Sequence, residues 1–269
     1  MAEHIYTLDG DTFHPTHWAG SPWSATSQHG GPPNALFMRA AELAADEASM
    51  RVARMTVDIL KPIPLQPLIL STSYARQGRR MAILDSKLSR ADNGTPVALS
   101  RAVILKEHGE HEALFPAFDR TRPGPEALNS HDLVSQERRE TGPQGFHLAI
   151  DVRYGGAGDD PIIWFTAPLG LVDGEPMSPG QLCAAICDLT TVVSGRIRNA
   201  PPGMWDNTRM FKMLNTDTTL HLFRPPEGQW FGFGENFIAD HHGIGVAEVT
   251  VYDEHGSLGR AVQTVASNA

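Results

Sequence analysis

Residues 178–197 read Ser178-Pro-Gly-Gln-Leu-Cys-Ala-Ala-Ile-Cys-Asp-Leu-Thr-Thr-Val-Val-Ser-Gly-Arg-Ile197, and this stretch decides the fold. Ser178 suits an N-cap, Pro179 the first helical position, and Gln181 completes a capping box of the form S-x-x-Q. Leu182, Ile186, Leu189 and Val193 then lie on one helical stripe, so a single helix is predicted from Pro179 to Ile197. Four strand-like runs follow it: Thr216–Phe223, Trp230–Ile238, Gly245–Tyr252 and Leu258–Ala266, the last after the turn Asp253-Glu254-His255-Gly256.

The same order stands earlier in the chain. Asn34–Ala48 contains only residues a helix accepts, preceded by Pro32 and Pro33. The runs Ala53–Leu60, Leu68–Arg76, Ala82–Ser89 and Val97–Leu105 follow, with the hairpin signal Asp92-Asn93-Gly94 before the last. Each helix is also preceded by strand-like segments: Ile5–His14 before the first, Phe146–Arg153 and Ile162–Ala167 before the second. The two halves end alike, GTPVALSRAVIL from Gly94 and GSLGRAVQTVAS from Gly256. A pattern this long written twice is a duplicated domain and not a solenoid. Strands that come in runs argue against a doubly wound sheet. The expected class is α+β, two tandem repeats, each a long central helix packed on a curved antiparallel sheet. The boundaries are 1–106, a linker over 107–142, and 143–269. The linker is rich in charge, proline and histidine, with one short helical turn around Ser135–Arg139.

Composition narrows the function classes. With 22 basic and 31 acidic residues the net charge is −9, which disfavours nucleic acid and anionic membrane as partners. The start, MAEHIYTLDGDTFHP, has neither the basic nor the apolar part of a signal peptide, and no apolar run reaches the length of a membrane helix. Cys183 and Cys187 read as reduced core thiols on one helix face. Together these point to the cytoplasm. No Gly-rich dinucleotide or phosphate loop, G-x-S-x-G or H-E-x-x-H occurs, and His241-His242 reads as a polar turn, so neither metal nor cofactor is expected.

Three positions stand out chemically. Asp188 has Ala184, Ala185, Thr191 and Val192 as helical neighbours, so its carboxylate projects from the edge of an apolar stripe and needs a polar partner. Gln263 shares a strand face with Ala261 and Val265, which puts an amide inside. In Leu214–Leu222 strict alternation places Asn215, Asp217, Thr219 and His221 on one polar face. Each has a bland alternative: an Asp that caps backbone or reaches solvent, an amide that satisfies a main-chain group, a half-exposed strand.

ICDLTT (186–191), NTDTTLHLFRPP (215–226) and GRAVQ (259–263) resemble the C-terminal half of the type II (TesB-like) acyl-CoA thioesterases. HGGPPNALFMRAA (29–41) and RVARMTVDILKPIPL (51–65) resemble the first half of the same family. The resemblance implies a double-hotdog fold, an acyl-CoA substrate and assembly of such units sheet to sheet as a homo-oligomer. It also implies a water-activating site of an Asp, a Ser or Thr, and a Gln. Carried over by position, the Asp is Asp188 and the Gln is Gln263, while the hydroxyl position holds Asn215, a departure from the family pattern. In that reading Asp188 accepts the proton of water and Gln263 and Asn215 orient it. Backbone N–H groups near Gly180, at the helix N-terminus, receive the oxyanion. Arg76, Arg79 and Arg80, in the run Arg76-Gln77-Gly78-Arg79-Arg80, are a solvated turn or a contact for the CoA phosphates. A catalytically silent acyl-binding or scaffold protein on the same fold stays open, with Asn215 as its support. A hotdog hydratase is the third reading, and the short-spaced Asp and His pair that resembles the hydratase motif is not found.

Overall fold

The computed structural model describes residues 3–109, 115, 122–134, 136–157, 160–199 and 213–267. Ser135, on which the expected helical turn was to begin, lies outside them.

The first half comprises β1 (His4–Asp9), β2 (Thr12–Pro15), α1 (Gly31–Glu47), β3 (Arg51–Ile59), β4 (Leu68–Gln77), β5 (Met81–Arg90) and β6 (Pro96–Leu105). Next come β7 (Asn129–His131), α2 (Gln136–Thr141) and α3 (Phe146–Ala149). The second half follows with β8 (Asp151–Ala157), β9 (Asp160–Thr166), β10 (Gly170–Val172), α4 (Pro179–Cys187) and α5 (Thr190–Asn199). It closes with β11 (Met213–Asn215), β12 (Asp217–Leu222), β13 (Phe231–His241), β14 (Ile244–Asp253) and β15 (Gly256–Ser267). Two expectations need correcting. Phe146–Ala149 is a short helix rather than the start of a strand, and the expected helix 179–197 is two helices, broken at Asp188 and Leu189.

The strands form one sheet whose order reads the same from its centre outward. From the antiparallel pair β3·β12 the first half runs β6, β5, β4, β2, β1 and the second runs β15, β14, β13, β9, β8. The short strand β10 adds to β1 in parallel, so an element of the second half completes the edge of the first. The helices α1 and α4 pack on each other over the middle of the sheet. Their apolar faces (Leu36, Phe37, Met38, Leu182, Ile186) join Val52, Met55, Leu84, Ala261 and Val265 of the strands in one core that spans both halves. Each such fully buried large side chain contributes about 1.5–3 kcal/mol. Cys183 and Cys187 are free thiols in that core, and the hydrogen bond with Cys187, together with burial, pushes the Cys183 thiol well up.

Three features shape the centre of the molecule. The capping box at Ser178 and Gln181 forms as the sequence predicts. The helical run breaks after Cys187, and the β-branched residues Thr190 to Val193 that follow open α5. The third is a register shift. Asn215 pairs with Val265, whereas Thr219 pairs with Val262, so one extra residue is accommodated around Thr216, and Asp217 Oδ1 accepts the Thr264 N–H at 2.8 Å. The shift reverses the alternation. Asp217, Thr219 and His221 share the half-exposed face of β12, but Asn215 turns to the other side, toward Asp188 and the helix layer.

Candidate active site

The helix break places Asp188 at the C-cap of α4 with its side chain 8% exposed. Backbone groups freed by the break are taken up locally. Leu189 N–H donates to Ile186 O at 2.9 Å and Thr190 Oγ1 donates to Cys187 O at 2.8 Å. Gln263, fully buried, does the rest: its Oε1 accepts Thr191 N–H (2.8 Å) and Thr191 Oγ1 (2.6 Å). Its Nε2 is shared among Cys187 O (3.3 Å), Asp188 O (3.2 Å) and Thr218 Oγ1 (2.8 Å). Because a backbone N–H can only donate, the amide orientation follows from this network. Gln263 therefore meets the main chain of Asp188 and not its carboxylate.

The carboxylate has two side-chain partners. Asn215 Nδ2 donates to Oδ1 at 2.9 Å, and His29 Nδ1 lies 3.0 Å from Oδ2 with the imidazole 7% exposed. His29 comes from the other half, on the loop that leads into α1, where its N–H donates to Ala19 O. Its Nδ1 also accepts the Gly31 N–H at 3.1 Å. A proton on Nδ1 can go to the carboxylate, or the lone pair can accept from Gly31, but not both at once. When a proton on Nδ1 goes to the ionised carboxylate, the Gly31 N–H, in the first turn of α1, is released to serve another acceptor. Gly30 lets Asp188 approach: a Cβ there would lie 2.8 Å from Asp188 Cγ, and one on Gly31 would lie 2.7 Å from Ala185 O.

Asp188, Asn215 and His29 open into a pocket whose apolar walls include Trp23, Leu133, Val134, Leu189 and Val192, with His147 as a further polar group. Leu133 and Val134 lie in the stretch read from sequence as linker. His29 and His147 were not singled out by sequence reasoning. The signal for His29 was its place directly before the Gly-Gly-Pro-Pro helix start.

Gly180 is elsewhere. A Cβ on it would overlap the carboxylate of Glu42. Glu42 lies on α1, as Asp188 lies at the end of α4. Each sits against the N-terminus of the other half's helix. There Ser178 Oγ donates to Glu42 at 2.8 Å and Gln181 Nε2 at 2.9 Å. Burial pushes the Glu42 carboxyl up, against the pull of those two bonds. The N-terminus of α4 is thus filled by Glu42, and Gly180, eight residues before Asp188, is about 12 Å from it along the helix. Arg76, Arg79 and Arg80 are exposed. Their turn lies level with the start of β3 (Met81, Leu105 and Arg51 pair across), while Asn215 adjoins the far end, where Ile59 N–H donates to Thr216 O. The separation along the strand is roughly 25 Å. The structure brings Asp188 and Asn215 together, sets Gln263 behind them, and leaves Gly180 and the three arginines outside this cluster. Among the described residues no group of three or more His, Cys, Asp or Glu could hold a metal ion, and no helix is long and apolar enough to cross a membrane.

Fold and site define a hotdog-type protein with a buried carboxylate at the junction of its halves. Comparison with known proteins agrees. A putative thioesterase from Novosphingobium aromaticivorans superimposes with a TM-score of 0.71 at 18% identity, over 98% of this chain and 99% of that one. A hot-dog-fold protein from Alicyclobacillus acidocaldarius gives 0.69 at 17%, over 98% and 96%. An acyl-CoA thioesterase II from Mycobacterium marinum gives 0.61 at 15%, over 97% and 93%. No curated protein sequence matches this chain. Residues 19–105 match the acyl-CoA thioesterase N-terminal domain and residues 108–267 the acyl-CoA thioesterase C-terminal domain, so the chain belongs to the acyl-CoA thioesterase family, a family of thioester hydrolases.

Proposed function

We propose that this chain hydrolyses fatty acyl-CoA to free acid and CoA with a water activated by Asp188. The observation that carries the reading is the buried carboxylate itself, held by Asn215 and His29 and open to an apolar pocket. A thioester carbonyl is a good electrophile, so water needs a base and an orientation rather than a covalent nucleophile. Asp188 accepts the water's proton. Asn215, whose amide both donates and accepts, holds carboxylate and water in line. The developing oxyanion is received by the N–H of Gly31 alone in the first turn of α1, since Pro32 and Pro33 carry none and the Asn34 N–H donates to Gly30 O, instead of the turn at Gly180 that Glu42 fills. Gln263 acts as a positioning residue: it fixes the helix break and so aims Asp188. The wall of Trp23, Leu133 and Val134 receives the acyl chain.

Free-thiol release by the wild-type protein from a panel of acyl-CoAs of increasing length tests the activity, and Asn215 tests the site. Asn215→Thr, which keeps a hydrogen-bonding group, should retain activity within about tenfold, or roughly 1.4 kcal/mol of barrier. Asn215→Leu, similar in size but unable to bond water, should lose far more while melting near the wild-type temperature. Equal turnover in wild type and Asn215→Leu would show that Asn215 does not touch the reacting water.

A further inference from the structure

We propose that His147 donates the proton that the departing CoA thiolate takes up, an inference that rests on the hydrolytic reading of the Asp188 pocket. His147 is 3% exposed and lines that pocket together with Asp188, Asn215 and His29. The two imidazoles enter from different elements. His29 turns its Nδ1 to Asp188 and so belongs to the base, whereas His147 comes from α3, in the segment that also brings in Leu133 and Val134.

The placement of α3 is tightly specified. Phe146 N–H donates to Gly20 O at 3.0 Å, and Gly20 and Gly145 lie so close that a Cβ on either would overlap backbone of the other segment. The Phe146 ring lies against His29, with centroids 5.4 Å apart, and a Cβ on Gly31 would be 2.9 Å from it. Two glycines and a buried aromatic thus clamp this four-residue helix onto the start of α1, and the residue after the aromatic delivers its ring to the pocket.

The chemistry supplies the role. Water oxygen bonds to the carbonyl carbon and its proton passes to Asp188, giving a tetrahedral oxyanion. Collapse re-forms C=O and breaks the C–S bond, whose electron pair stays on sulfur. An alkyl thiolate is basic, with an ordinary thiol pKa near 8.5 in cysteine against ~6.5 for an imidazole. Sulfur takes the proton of His147, and the proton on Asp188 returns to the histidine through solvent. The sum is thioester plus water to acid plus thiol, with no redox step.

The test separates leaving groups. His147→Gln should lose ~10²-fold in kcat on an acyl-CoA but no more than about threefold on the 4-nitrothiophenyl ester of the same acid, whose thiolate leaves without a proton. Equal losses on both esters, or no loss on either, would overturn the assignment. Asp188→Asn, assayed alongside, should lose on both, and full activity there would sink the hydrolytic reading rather than the role of His147. Should His147→Gln not fold, wild type alone decides over a series of thioesters of one acid. Rates that hardly depend on thiol acidity support the donor, and rates that climb steeply with it overturn it.

Discussion

Asp188→Asn is expected to fold normally and to lose about 10²–10⁴-fold in kcat on acyl-CoA, the range typical of a removed general base. That corresponds to roughly 3–5 kcal/mol of barrier. The substitution is nearly isosteric, and Oδ1 can still accept from Asn215 Nδ2, which now stands 2.9 Å from the carboxylate. The amide nitrogen would face His29 Nδ1, at 3.0 Å from the present Oδ2, and a neutral imidazole with its lone pair on Nδ1 can accept that bond. The pocket is therefore kept and only the proton acceptor is removed. A thermal melt close to wild type with the loss in kcat supports the assignment, and wild-type turnover in a folded variant contradicts it.

Gly30→Ala should be nearly as damaging, for a different reason. Gly30 has φ −68° and ψ −23°, which any residue adopts, so the backbone does not resist the change. The added methyl instead lies 2.8 Å from Asp188 Cγ, and something has to move. The carboxylate is the movable part, and displacing it by about 1 Å from Asn215 and His29 is worth on the order of 10²-fold in rate. The effect should be strongly non-additive: Gly30→Ala placed in Asp188→Asn should cost little more, because both act through one group. Additive losses would mean that Gly30 matters through something other than Asp188.

Most of the architecture was legible in the sequence because it rests on local signals. The capping box at Ser178, the proline-led helix of the first half and the turns at Asn93-Gly94 and His255-Gly256 each carry their own stereochemistry, and the repeat of their order revealed the duplication. What stayed hidden depends on partners distant in the chain. The stripe Leu182, Ile186, Leu189 and Val193 continues across Asp188 as if the helix did, and the break is sustained by Gln263, 75 residues further on. Period-two alternation put Asn215 on the same face as Asp217, Thr219 and His221, and only the extra residue at Thr216, visible in the pairing with β15, separates it from them and turns it toward Asp188. His29 and Asp188 are 159 residues apart, so nothing local announces their contact. The same holds for Glu42, whose occupation of the α4 N-terminus redirects the oxyanion assignment from Gly180 to the start of α1. Leu133, Val134 and His147 lie in segments that read as linker or strand by composition, yet they line the pocket.

Asp188 is assigned here as a base acting on water and not as a nucleophile, and one measurement addresses that claim directly. A single turnover is run with enzyme in excess over acyl-CoA in water enriched in ¹⁸O, and the released acid is weighed by mass spectrometry. Direct attack by water predicts one ¹⁸O in each molecule of acid from the first turnover, with the oxygens of Asp188 unlabelled. Acid that carries only ¹⁶O, with label appearing in Asp188, would show an acyl-enzyme intermediate, and that result, or the absence of any released acid, would contradict the account.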